Sequence, residues 1–381
     1  MNRKLAMTTT SLIVVLVVLS LFLAGNLLNH PTPSRQFFVG VECAYSDHVG
    51  DIELLVDKVA NYTNLFVIGS VGVSFNRTAL DETCDYMYKS GLNFIVLFTG
   101  INMYNYSNGY TITQWMVDAQ HKYNDKFLGI YKIDEPGGNQ LDKGPSMIIN
   151  DTTSYTQTSQ AYVGNLSAMI NYYYAYSPKI FTADYALNWF DYKANYTCVF
   201  AEFVGNESEQ RIIALDRGAA QAFNKDWGVI INWKYNQAPY YLESGSELYS
   251  DLALAYSAGA KYAFVFSYPN ITAYGTLYDD HFEALKKFWN TLQSDPGSFG
   301  SSKPQVAYVV PKDYGFGLRN ADDKIWGLFP PDNLSKKIYD DVKTLTDRYN
   351  AQLDILYDEP QVAASVLRNY SRVYYWNQTI T

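Results

Sequence analysis

From Phe37 to Gln293 the chain alternates between short apolar runs and stretches of helical periodicity, and this alternation restricts the fold more than any motif. The runs are Phe37 to Cys43, Asn64 to Ser70, Leu92 to Thr99, Phe127 to Ile133, Lys179 to Asp184, Thr197 to Phe203, Trp227 to Trp233 and Lys261 to Ser267. Each has the length and aliphatic content of a strand buried on both faces, and a helix between two such strands makes them parallel. Eight parallel strands with intervening helices close into a (β/α)8 barrel, with a doubly wound open sheet as the alternative. Helices are expected near Asp51 to Ala60, Thr78 to Ser90, Thr113 to Tyr123, Ser154 to Tyr176, Glu207 to Phe223, Glu247 to Ala258 and Asp279 to Gln293. Tyr185 to Asn195 breaks the pattern: it reads as an aromatic loop with little room for a helix, so one outer helix is short or missing.

The flanks differ in kind. Residues 1–35 hold Arg3 and Lys4, then an uncharged apolar stretch within residues 5–28, then a Pro-containing linker. About 18 apolar residues lies between a long signal peptide and a membrane-spanning anchor, and both readings put the remainder outside the cell. The barrel is expected over 36–293 and a linker over 294–303 (S-D-P-G-S-F-G-S-S-K). A smaller α/β domain follows over 304–381, with strands at Gln305 to Val310, Leu353 to Tyr357 and Arg372 to Trp376. That is half of a doubly wound, flavodoxin-like unit, which must pack on the barrel or be incomplete.

Composition narrows the function. Charged residues are 18% and aromatics 16% of 381 residues, with 35 tyrosines and a net charge of -9. No basic face is available for a nucleic acid. N-x-S/T acceptors at Asn61, Asn76, Asn105, Asn150, Asn165, Asn195, Asn206, Asn270, Asn333, Asn369 and Asn377 point to a glycosylated exterior protein. A surface that relies little on ion pairs also suits an acidic exterior. Cys43, Cys84 and Cys198 allow one disulfide and a leftover thiol. Four histidines without ligand spacing, and the absence of G-x-S-x-G and H-E-x-x-H, speak against metal or serine hydrolases; no metal or cofactor is implied, and protein partners are not legible. Gly315 and Gly317 lack the third glycine of a dinucleotide loop; Lys312, Asp313, Tyr314 and Arg319 are instead candidates for a lid over the barrel mouth.

In a parallel barrel, chemistry sits at the C-terminal ends of the strands, and acids gather there: Glu42, Asp134, Glu135, Asp184 and Glu202, with Glu243 in the loop after the seventh strand. Cleavage of a glycosidic bond needs one carboxyl to protonate the leaving oxygen and a second to act as nucleophile or activate water. Glu135, beside Pro136, is the expected proton donor because burial at the mouth raises a carboxyl pKa. Its bland alternative is a loop carboxylate bonded to the Gly137 and Gly138 amides. Asp134 completes the candidate catalytic set, although strand alternation turns it the other way unless the chain bends. Glu202, at the end of an apolar run without a neighbouring cation, is the second carboxylate. Glu42 and Asp184 are auxiliary or substrate-binding acids. Tyr131, Tyr185, Trp189, Trp233, Tyr235 and Tyr268 offer rings on which a sugar can stack, and Asn232 and Lys234 offer hydroxyl contacts.

The sequence I-D-E-P at Ile133 to Pro136 resembles the N-E-P after the fourth strand of a large clan of glycoside hydrolase barrels. The resemblance implies an acid/base role for Glu135 and a carbohydrate substrate. The clan's nucleophile ends the seventh strand, where this chain has Asn232, Trp233 and Lys234, so Glu202 rests on the residues and not on the family. Gln305 to Trp376 resembles the amidotransferase-like domain that follows the barrel in some glycosidases. A non-catalytic carbohydrate-binding or structural surface glycoprotein on a degenerate barrel is the competing reading.

Overall fold

The computed structural model describes residues 35–99, 106–235 and 242–380. The apolar segment at 5–28 and Asn105 lie outside them, and among the described residues no helix is long and apolar enough to cross a membrane. Eight parallel strands close into a barrel in sequence order: β1 (Phe38–Cys43), β2 (Leu65–Ile68), β3 (Asn93–Phe98), β4 (Phe127–Lys132), β5 (Ile180–Asp184), β6 (Cys198–Phe203), β7 (Asp226–Ile231) and β8 (Tyr262–Ser267). The ring is shut by β8 against β1, in the register that aligns Glu42 with Phe266.

Around the strands run α1 (Val49–Val59), α2 (Val71–Phe75), α3 (Arg77–Lys89), α4 (Ile112–Tyr123), α5 (Pro136–Asp142), α6 (Tyr155–Asn171), α7 (Asn188–Lys193), α8 (Glu209–Phe223), α9 (Gly245–Ala258) and α10 (Asp279–Ser294). Local chemistry sets their starts. Thr111 and Ser244 form reciprocal capping boxes with Gln114 and Glu247 that begin α4 and α9. The expected loop at 185–195 contains α7, six residues long, so the outer helix there is short.

Alternation along the strands divides two apolar layers. Phe38, Leu65, Val67, Ile95, Tyr131, Phe181, Phe200, Tyr262 and Phe264 fill the barrel, while the other face of each strand packs against the helices. Inside, the Phe38 and Tyr262 rings stack with centroids 5.0 Å apart, and Phe181 stacks on Phe200 at 5.4 Å. This filling confines open space to the C-terminal mouth.

Beyond the barrel, β9 (Val306–Val310), α11 (Asn333–Tyr349), β10 (Leu353–Tyr357), α12 (Ala364–Leu367) and β11 (Arg372–Tyr375) follow, the strands forming a parallel sheet in the order β10-β9-β11. A small α/β sheet is thus observed, and nothing beyond it supports an amidotransferase-like domain. The sheet packs on α8, and one buried side chain ties the two together. Arg217 bonds Asp354 at 2.7 Å and donates to the carbonyls of Ala258, Ser302, Ala351 and Leu353.

None of Lys312, Asp313, Tyr314 and Arg319 lines the open space at the mouth. Asp313 and Tyr314 are buried, Tyr314 donates to Asp332 at 2.7 Å, and Arg319 is held by Asp323 and Asp142. All three cysteines are buried and free, so the possible disulfide is not formed. The acceptor asparagines among the described residues are all exposed.

Candidate active site

Strand parity decides which acids meet. Along β1, Phe38 and Gly40 face the barrel interior and so does Glu42; along β6, Cys198 and Phe200 do, and so does Glu202. Both end in a cavity of about 640 Å³ at the C-terminal mouth, within the size range of small-molecule sites. Its wall also includes Asp47, Leu97, Tyr131, Asp134, Glu135, Ile230, Asn232, Phe266 and Tyr268.

Asp134 and Glu135 both reach this cavity, against simple alternation. Ile133 (φ 60°) and Glu135 (φ 45°) take left-handed backbone conformations, so the chain turns sharply after β4 and presents consecutive side chains to the same space. The turn is held from behind. Asp184 accepts from the amides of Gly137 (2.5 Å) and Gly138 (3.1 Å), and from those of Tyr185 (2.8 Å) and Ala186 (3.1 Å). A Cβ on Gly137 would lie 2.5 Å from the Asp184 carboxylate, so only glycine admits this approach. The amides expected to satisfy Glu135 in its bland reading therefore belong to Asp184, and the Glu135 carboxyl remains available to the cavity.

There the Glu135 and Glu202 carboxyls lie side by side, each acting on the other's titration. Burial, then the neighbouring Asp134, pushes Glu135 up to about 7. Glu202 is also raised, by burial first and by Glu135 next, and the amide of Asn232 donates to its Oε1. Two acids in contact cannot both ionise, so the pair holds a proton where an isolated carboxyl would have lost it. Asp134 is raised by burial and accepts from the Tyr131 hydroxyl. Glu42 is raised by burial and by Asp134.

Other expected residues are placed elsewhere. Asp184 follows the inward-facing Phe181 and Ala183, so parity turns it out of the barrel, where it is buried behind α5. Tyr185 donates to Asp142 at 2.7 Å and does not line the cavity. Trp189 is buried between Phe223 and Tyr357, at the junction of α8 with the C-terminal sheet. The short helix α7 pulls all three away from the mouth. Glu243 is buried in contact with Asp251, and Lys234 lies between Glu209 (3.4 Å) and Glu243 (3.6 Å). At the rim, the Trp233 indole donates to the Tyr268 carbonyl and lies 6.0 Å from the Tyr268 ring, which is 45% exposed.

Among the cavity residues that the sequence does not single out are Phe266 and Asp47. Phe266 sits at inward parity on β8, a signal that was present. Asp47 accepts from Ser70 (2.7 Å) and the Gly72 amide (3.1 Å), a loop contact that no periodicity announces.

Comparison with solved structures places this architecture. The α-L-fucosidase isoenzyme 2 of Paenibacillus thiaminolyticus matches with a TM-score of 0.52 at 10% identity, over 89% of this chain and 59% of its own. A GH5_18 protein of Bifidobacterium longum subsp. longum, in complex with Manβ1-4GlcNAc, matches with a TM-score of 0.52 at 9% identity, over 90% of this chain and 96% of its own. The barrel is shared with glycoside hydrolases. This chain spans under two thirds of the fucosidase's length. No protein-family model and no curated protein matches the chain. At such identity the likeness concerns the fold, and any chemistry has to come from the site.

Proposed function

We propose that this protein is an extracellular glycoside hydrolase acting on a polysaccharide or surface glycan, with Glu135 as acid/base and Glu202 as its opposing carboxylate. The observation that carries this reading is the convergence of the Glu135 and Glu202 carboxyls in the cavity at the barrel mouth. Inverting enzymes hold their acids roughly 6.5–9.5 Å apart to admit a water, and retaining ones about 5–5.5 Å. Two carboxyls side by side in one cavity need part less to reach the second separation than the first, and the retaining route is the one proposed.

In that route an entering sugar parts the two carboxyls. Glu135 gives its proton to the leaving glycosidic oxygen while the Glu202 carboxylate, steadied by the Asn232 amide, attacks the anomeric carbon. Water deprotonated by Glu135 then releases the sugar from the Glu202 ester. Asp134 serves by keeping Glu135 protonated near neutral pH, and Tyr131 holds Asp134 in place. Tyr268 and Trp233 supply ring faces at the rim. The exterior address is supported by the apolar N-terminal segment in the sequence and by the exposure of the described acceptor asparagines.

Asn232 stands at the end of β7, where the resembling clan carries its nucleophile, and it bonds Glu202. A binding-only barrel is the reading that this difference favours. Turnover of a glycan panel by wild type and Glu135→Gln separates the two: loss of a positioned proton donor costs about 10²–10⁴-fold in rate. Equal turnover in both proteins would remove Glu135 from the mechanism, and no turnover by wild type leaves the binding-only barrel.

A further inference from the structure

The cavity has one sign. Glu42, Asp47, Asp134, Glu135 and Glu202 line it, and no lysine, arginine or histidine does among the described residues. Segments 100–105 and 236–241, outside the described residues, contain no basic residue in sequence. Lys234, two residues beyond Asn232, is already engaged by Glu209 and Glu243.

Glu42 makes the arrangement more than a collection of acids. It is 2% exposed, it lines the cavity, and its Oε2 has no hydrogen-bond partner. Opposite it stands Gly69, where a Cβ would lie 2.3 Å from the Glu42 carboxyl. Glu202 is equally buried but already has the Asn232 amide and the Glu135 carboxyl beside it. A buried carboxyl oxygen without a donor is costly, so a ligand that brings a donor is favoured at Glu42. Hydroxyl and ammonium groups are such donors; a sugar carboxylate or sulfate ester brings only acceptors and a like charge.

On the reading that this cavity holds a glycan, we propose that it selects neutral or amino sugars and rejects anionic ones, with Glu42 as a specificity-determining residue. An anionic ring is opposed only where the surrounding carboxyls have lost their protons, and burial delays that loss. Discrimination therefore grows from neutral pH toward alkali and fades on acidification.

The test uses the full chain carrying Glu135→Gln, so that bound sugar is not consumed. Cello-, manno-, malto- and chitotetraose are titrated calorimetrically at about pH 8.5, where the raised carboxyls are more fully ionised, and each binder is presented again with a 6-O-sulfate or a 6-amino-6-deoxy group on one ring. The sulfated form is expected to bind at least about tenfold more weakly than its parent, a difference of about 1.4 kcal/mol. The amino form, of similar bulk and opposite charge, is expected to bind no more weakly than the parent. The sulfate ester stays ionised at pH 4, so the sulfate penalty shrinks there only if the protein's own carboxyls cause it. Glu42→Gln is expected to reduce the amino-to-sulfate ratio several-fold, and the pH series reads the same effect on a chain with Glu42 intact. Equal binding of the sulfated and amino forms at about pH 8.5 overturns the selectivity and leaves the carbohydrate reading standing. Failure of every tetrasaccharide to bind overturns both.

Discussion

Asp184 touches no part of the cavity wall, yet the position of Glu135 depends on it. Its carboxylate gathers the amides that follow Glu135, and its charge is among the causes that raise Glu135 to about 7, after burial and Asp134. Asp184→Asn turns half of that acceptor into a donor facing amide donors, a loss of about 1–3 kcal/mol in stability. It also removes a negative charge, so Glu135 releases its proton at lower pH and the alkaline limb of the activity profile moves to lower pH. A residue serving only to hold the loop would lower the rate without moving that limb, and such a result would confine Asp184 to a structural part. The sequence displayed the acids but not this division of labour. Glu42 and Glu202 were legible as cavity residues because an inward-facing apolar pattern ends on each of them. Asp184, Tyr185 and Trp189 were grouped with the mouth because each follows a strand, whereas their partners lie far off in sequence: Gly137 and Gly138 for Asp184, Tyr357 for Trp189.

At the level of elements, the apolar runs predicted all eight barrel strands to within a residue or two, since a strand covered on both faces must be apolar throughout. What periodicity could not convey was how the last three strands attach. Arg217, in the middle of α8, looks like an ordinary helical arginine; in the structure it is 1% exposed and its guanidinium binds Asp354 and carbonyls on both sides of the junction. Tyr370 completes the group by donating to the second oxygen of Asp354 at 2.8 Å. Arg217→Met leaves Asp354 buried without its cation and is expected to cost about 3–5 kcal/mol, read as a lowered unfolding midpoint. The double variant Arg217→Met with Asp354→Leu removes the stranded charge as well, and should recover part of the loss. If the double variant is no more stable than the single one, the pair is not what couples α8 to β10.

For the molecule as a whole, composition and structure meet in the way carboxyls are partnered. Several aspartates accept from tyrosine hydroxyls: Asp57 from Tyr86 (2.6 Å), Asp191 from Tyr162 (2.8 Å) and Asp332 from Tyr314 (2.7 Å). Asp85 and Asp341 accept from a tyrosine, Tyr123 (2.8 Å) and Tyr308 (2.7 Å), and from a lysine, Lys122 (2.6 Å) and Lys337 (2.5 Å), as well. A hydroxyl still bonds a carboxyl that has taken up a proton, so these contacts survive acid in a form that an ion pair does not. Buried acids also lie against one another, as Glu135 with Glu202, Asp184 with Asp191 and Glu243 with Asp251. Burial raises all six; Asp251 reaches about 6, Glu135 about 7 and Glu243 about 8. In the unfolded chain Asp and Glu titrate near 3.9 and 4.3. Below about pH 4 both states are protonated and the whole contribution is present. Between pH 4 and 8 the unfolded chain has released protons that the folded chain keeps, so folding weakens with each step toward alkali. Asp85 and Glu247 are shifted the other way and oppose this trend, but both are largely solvated and weigh little. The melting temperature is therefore expected to peak at about pH 4 or below and to fall steadily toward pH 8, in scanning calorimetry at constant ionic strength. A midpoint that climbs between pH 4 and 7 would mean that these carboxyls are ionised in the folded protein, and would undercut the acidic setting inferred for its surroundings.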